Sequence, residues 1–122
     1  MNMKRDMDLI RLILLEIEKE VDGEPVMGLT VEGYNMQQVA YHCRLLEERG
    51  FIDDYSPEYG DGELLDFAVG KLTWEGHEYL DTVRDNSFWG MVKTMMSKKA
   101  IPVTLKFVVA TAEEIVNKKL GL

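Results

Sequence analysis

The sequence predicts an α+β fold, mainly α, and three observations carry it. Residues 6–21 and 35–50 repeat apolar side chains at spacings of three and four. Residues 51–72 read as two strands around a turn-rich centre. Residues 86–122 return twice to helical spacing. The expected organisation is a first domain over residues 1–85, holding a short three-stranded antiparallel sheet, and a C-terminal extension of two helices over 86–122.

Asp6 to Val21 is expected to be an amphipathic helix with Met7, Ile10, Ile13, Leu14, Ile17 and Val21 on its inner face. Asp22-Gly23-Glu24-Pro25 ends it, because Gly and Pro continue helices poorly. Val26 to Glu32 reads as one strand. Asn35 opens the next helix, and Gln38 stands three residues on, as a capping box requires. Val39, Cys43 and Leu46 form its inner stripe, with Ala40 beside them, and Gly50 stops it. Phe51 to Tyr55 and Leu64 to Leu72 read as a hairpin around the loop Ser56 to Glu63. Thr73 can cap a helix running from Trp74 to Arg84. Ser87 to Lys99 reads as a fourth helix. Pro102 suits the first turn of a last one, whose stripe is Leu105, Val108, Val109, Ala112, Ile115 and Val116.

Helix, strand, helix, Gly turn and hairpin follow one another in the order of a winged helix. The segment Val39 to Ile52 has the character of a recognition helix and its exit: one buried face, a sharp stop, and two apolar residues that feed a strand beneath it. One departure stands out. Only Gly33 and Tyr34 separate the first strand from Asn35, so the supporting helix of a helix-turn-helix is missing or reduced to a turn.

Composition narrows the function classes. The 122 residues suit one core, and 46% hydrophobic content suits a folded chain. The lone Cys43 excludes an internal disulfide. The first apolar run is broken by Arg11, and the late one, Ala100 to Ala112, holds Pro102 and Lys106. Neither is a signal peptide or a membrane span, so a cytoplasmic protein is expected. The net charge of −8 is uneven: −4 over residues 1–34, −8 over 35–85 and +4 over 86–122. Acidity can serve solubility alone; the basic tail can also dock on an acidic body or partner.

Three blocks resemble a family of uncharacterised bacterial and phage proteins catalogued as domain of unknown function 2513. They are Lys4-Arg5-Asp6-Met7-Asp8-Leu9-Ile10-Arg11, the stretch from Tyr41-His42 to Ile52, and Leu72-Thr73-Trp74-Glu75-Gly76-His77-Glu78-Tyr79-Leu80-Asp81. The resemblance implies a winged-helix-like fold and a mobile-element setting. It implies no activity and no functional residues.

A second helix lying in a major groove would present Gln37, Gln38, Tyr41, Arg44 and Glu48, with Arg49 at its end. Gln pairs bidentately with adenine and Arg with guanine, so double-stranded DNA is one expected partner. A solvated helix face explains the same residues. The hairpin opposes DNA: Phe51 to Gly70 carries Asp53, Asp54, Glu58, Asp61, Glu63 and Asp66 and no basic residue. A protein partner is therefore the other expectation, with the domain acting as an adaptor or an acidic DNA mimic.

No enzyme, cofactor or metal is expected. His42 and Cys43 are neighbours on a helix and diverge by about 100°, so a packing role for His42 and His77 is preferred to ligation. Ser56, Ser87 and Ser97 sit in no nucleophile elbow, and the pairs Glu47-Glu48, Asp53-Asp54 and Glu113-Glu114 read as solvated faces. Trp74, Phe88, Trp89, Met91, Met95 and Met96 form a late aromatic and methionine cluster. Core packing is its default reading and an adaptable partner surface the other. A homodimer through residues 86–122 is expected.

Overall fold

A computed structural model of the chain describes residues 3–122. Five helices and a three-stranded antiparallel sheet make an α+β fold that is mainly α. The elements are α1 (Met7–Glu20), β1 (Val26–Met27), α2 (Met36–Arg49), β2 (Tyr55–Gly60), β3 (Glu63–Val69), α3 (Trp74–Val83), α4 (Asn86–Lys98) and α5 (Leu105–Leu120). They form two compact units, one up to Glu78 and one from Tyr79, so the division falls inside α3. The order α1-β1-α2-β2-β3 in the first unit is compatible with a winged helix.

In the first unit, α1 starts where Asp6 accepts the backbone N–H groups of Asp8 and Leu9 at 2.9 and 3.2 Å, which satisfies two orphan donors of the first turn. Its face Leu9, Ile10, Ile13, Leu14 and Ile17 is buried. The facing stripe Val39, Cys43 and Leu46 of α2 is at most 1% exposed, as its spacing predicts. Between β1 and α2 the chain makes only a turn, closed by the Tyr34 N–H donating to the Val31 carbonyl at 3.2 Å.

The strands differ from expectation in length and position. The strand expected over 26–32 is regular only at Val26 and Met27, because Gly28 turns into the left-handed region at φ 64°. Leu29 and Val31 still reach the core as coil. The strand expected from Phe51 begins instead at Tyr55; before it, Ile52 and Leu72 form an isolated bridge. At that point Gly70 approaches Asp53 so closely that an added Cβ would overlap the carboxylate. The expected loop Ser56 to Glu63 is mostly strand: β2 runs to Gly60, and only Asp61 and Gly62 turn, both at positive φ. Two central residues at positive φ are the signature of a type I′ hairpin turn. β3 is the central strand, between β1 and β2, which leaves Pro57 on an edge where its missing N–H is tolerated.

In the second unit, Asp85 caps α4 by accepting the Phe88 N–H at 2.7 Å. Trp89, Val92 and Met96 are buried on α4, and Val108, Thr111, Ala112 and Ile115 on α5. Pro102 does not open α5; Thr104 caps it, and the helix starts at Leu105. Val116, expected on the buried stripe, is 41% exposed, because the helix turns its 108–112–115 face inward and carries 116 past the edge. Lys93 and Lys119 lie over the Trp89 and Phe88 rings at 5.7 and 5.9 Å, and Glu114 sits 3.4 Å from Lys99 and 3.5 Å from Lys118. No helix among the described residues is long and apolar enough to cross a membrane.

Candidate functional site

α2 is fixed at both ends. Asn35 and Gln38 exchange side-chain-to-backbone hydrogen bonds at 2.9 Å each, completing the capping box. Gly50 closes the other end at φ 81°, a conformation glycine adopts without a Cβ penalty. The middle is held by His42, which is only 2% exposed. Its Nε2 accepts the Asp6 backbone N–H at 2.8 Å, so the ring proton sits on Nδ1 and donates to the Gln38 carbonyl at 2.8 Å. Asp6 also accepts the Tyr34 hydroxyl at 3.3 Å; burial, and then this carboxylate, push the Tyr34 phenol up.

On the outer face, Gln37, Tyr41, Arg44 and Glu48 follow one another at intervals of four, three and four, which aligns them in one stripe. Gln37 and Arg44 are exposed and Tyr41 is half-buried, its ring edge against His42 at 5.6 Å between centroids. Arg44 Nε lies 3.6 Å from Glu48 Oε1, with both side chains about 60% exposed. Such a pair is weakly held and releases the guanidinium readily. Gln38 is partly occupied, since its Oε1 serves the cap. Arg49 stands apart at the helix end, its guanidinium 5.0 Å above the Phe51 ring. Of the five expected reader residues, Gln37, Tyr41 and Arg44 thus share one stripe, with Gln38 and Arg49 beside it.

The acidic hairpin is tied to the same helix. Glu47 accepts the Tyr55 backbone N–H at 2.9 Å, so β2 begins at the flank of α2. Lys71 lies 3.8 Å from Asp53. Among the described residues, Glu58, Asp61 and Glu63 have no cationic partner. Tyr59 and Leu65 are 62% and 58% exposed beside them.

Several side chains depart from their expected places. Trp74, expected in the core, is 78% exposed at the start of α3, where its Nε1 donates to Glu78 at 3.0 Å. Trp74 lies on the outward side of the first turn of α3, whose inner side is the buried Gly76. His77 is exposed as well and does not pack. Cys43 is fully buried, and burial pushes its thiol up to about 12. Among the described residues no three His, Cys, Asp or Glu side chains gather as a metal set. The Asp6–His42 and Glu47–Tyr55 bonds had no sequence signal, because each joins residues of different elements.

A family model described as "Hypothetical protein (DUF2513)" matches residues 4–102. The chain belongs to this family. The DUF2513 match takes in every element from α1 to α4 and stops before α5. An "Uncharacterized protein" of Haemophilus influenzae is 32% identical over 122 residues, covering 98% of this chain and 100% of its own. This likeness to the Haemophilus influenzae protein extends through α5. No solved structure matches.

Proposed function

We propose that this DUF2513 chain is a non-catalytic winged-helix module of the cytoplasm that binds double-stranded DNA through the outer face of α2 and acts in gene regulation, in a phage or mobile-element setting. The observation that carries the reading is the stripe Gln37-Tyr41-Arg44 on a helix locked by a capping box and a left-handed glycine. Rigid presentation lowers the entropy that binding must overcome. Gln37 has the donor and acceptor for adenine, and Arg44 the fork for guanine. Fluorescence anisotropy with mixed bacterial and phage duplexes tests it at about 50 and about 200 mM salt. Arg44→Ala should weaken specific binding by about tenfold or more, the worth of one bidentate base contact. Binding no tighter than that of an unrelated acidic protein sinks the reading.

The hairpin favours a second reading. Its six carboxylates and its exposed Tyr59 and Leu65 suit a basic, partly apolar protein surface better than a phosphate backbone. The domain would then be an adaptor or an acidic DNA mimic. Replacing Tyr59 and Leu65 with Ser should abolish capture of the protein partner by the immobilised chain; capture that survives the replacement argues against it.

A further inference from the structure

The second unit carries an apolar groove along α4 and α5. It is lined by Met91, Thr94, Met95, Lys98 and Ile115, with a volume of about 630 Å³, within the range of sites that seat a ligand or a few side chains. Met91 is 44% exposed in it. Lys98 and Lys99 edge it; Lys99 is shared with Glu114, and Lys98 has no acidic partner among the described residues. The surrounding tail, residues 86–122, holds six lysines against two glutamates, for +4.

The chain also carries the complement of this groove. Residues 51–70, which contain the β2–β3 hairpin, have six acids and no basic residue, for −6. At the hairpin's end, Tyr59 and the Leu65 side chain, which lies over Gly60, expose apolar surface amid Glu58, Asp61 and Glu63. Apolar residues within an acidic rim match apolar residues within a basic rim.

We propose that the α4/α5 groove receives the β2–β3 hairpin of a second copy of this chain, in a reciprocal exchange that closes a twofold dimer. The inference rests on the protein-contact reading of the hairpin and names the partner. Charge complementarity selects the occupant: DNA would satisfy the lysines but not the apolar floor, whereas the hairpin satisfies both. Made twice about a twofold axis, the contact leaves neither a groove nor a hairpin open. It also covers the carboxylates that would otherwise repel a polyanion near α2.

Charge exchange between two variants tests the pairing by sedimentation. Lys98→Glu with Lys99→Glu reverses the groove rim, and Glu58→Lys with Glu63→Lys reverses the rim at the hairpin's tip, where Glu58, Asp61 and Glu63 go from −3 to +1. All four residues are exposed, so folding is retained, and circular dichroism checks it. The wild type should dimerise with a dissociation constant that rises about tenfold or more between low and high salt. Each variant alone should be monomeric, because both of its contacts then oppose like charges. An equal mixture should form the mixed dimer, in which both contacts are restored. Bulk attraction does not explain such rescue, since the variants carry −12 and −4, each two residues reversed from −8. A wild type that stays monomeric at about 100 µM in low salt overturns the inference, and a foreign protein captured by that monomer would leave the protein-contact reading standing. Dimers unaffected by reversal, or a mixture that fails to associate, overturn it equally.

Discussion

His42 Nε2 accepts the backbone N–H of Asp6, 36 residues away, at 2.8 Å. The bond joins the residue that caps α1 to the middle of α2, and the opposite ring nitrogen closes on the Gln38 carbonyl. Two side-chain bonds from a ring 2% exposed make His42 a fastener between the first two helices. His42→Ala removes the ring volume and leaves the Asp6 N–H without its partner, while the Gln38 carbonyl keeps its bond within the helix. The substitution should destabilise the fold by about 3 kcal/mol, within the usual cost of a core cavity plus an unmet hydrogen bond. Urea unfolding measures this; a loss under about 1 kcal/mol would mean that water replaces the ring.

Cys43 gives a second test. Thiol reagents attack the thiolate, and burial holds the thiol protonated to about 12. A chromogenic disulfide at pH 8 should therefore leave the native chain unlabelled and react in denaturant. The same shift sets a pH dependence. The folded pKa lies above the unfolded value of 9.0, so the stabilisation is complete below pH 9 and is lost as pH rises towards 12. The slope from this group is about 1.4 kcal/mol per pH unit. Cys43→Ala should flatten the alkaline limb of stability against pH; an unchanged limb would assign it to other groups.

Ala100 ends α4 at φ 55°, a left-handed conformation that costs an alanine its Cβ clash. Glycine has no such cost and is the usual residue at this place after a helix. Ala100→Gly should therefore stabilise the chain by about 1 kcal/mol, less the glycine's greater unfolded entropy. Calorimetry should record a higher Tm; a lower one would mean that the entropy term dominates.

The helices, the three-stranded sheet and β3 are legible in the sequence, and the bounds of β1 and β2 are not, for a physical reason. Helix stripes repeat over many residues, so Asp6, Asn35 and Gly50 mark ends that the structure keeps. Strand positions here depend on single turns. Asp61-Gly62 is a two-residue hairpin signal in itself, but Pro57 and Gly60 around it make the segment read as one long loop. The candidate site divides in the same way. The α2 stripe follows from spacing alone, whereas the bond from Glu47 to Tyr55, which brings the acidic hairpin to that helix, depends on how two elements meet. Trp74 has the helical spacing of a core aromatic, and its exposed place depends on how α3 meets Phe51.

The join between the hairpin and α3 yields the sharpest mutation. Thr73 donates its hydroxyl to the Gly50 carbonyl and its N–H to the Phe51 carbonyl at 3.0 Å, and its Oγ1 accepts the Gly76 N–H at 3.1 Å. One residue thus ties the exit of α2 to the first turn of α3. Gly76 faces the Phe51 carbonyl so closely that an added Cβ would overlap its oxygen, which is backbone and has no rotamer to escape into. Helix propensity alone favours Gly76→Ala by about 1 kcal/mol. Steric overlap with main chain reverses the sign: the first turn of α3 must shift, the Thr73 bonds must stretch, and the net loss should be about 2 kcal/mol or more. Gly76→Ala should accordingly lower the urea midpoint, and Thr73→Ala should lower it by a smaller step, about 1 kcal/mol for a lost cap. A stabilised Gly76→Ala chain would place α3 farther from Phe51 than the structure has it.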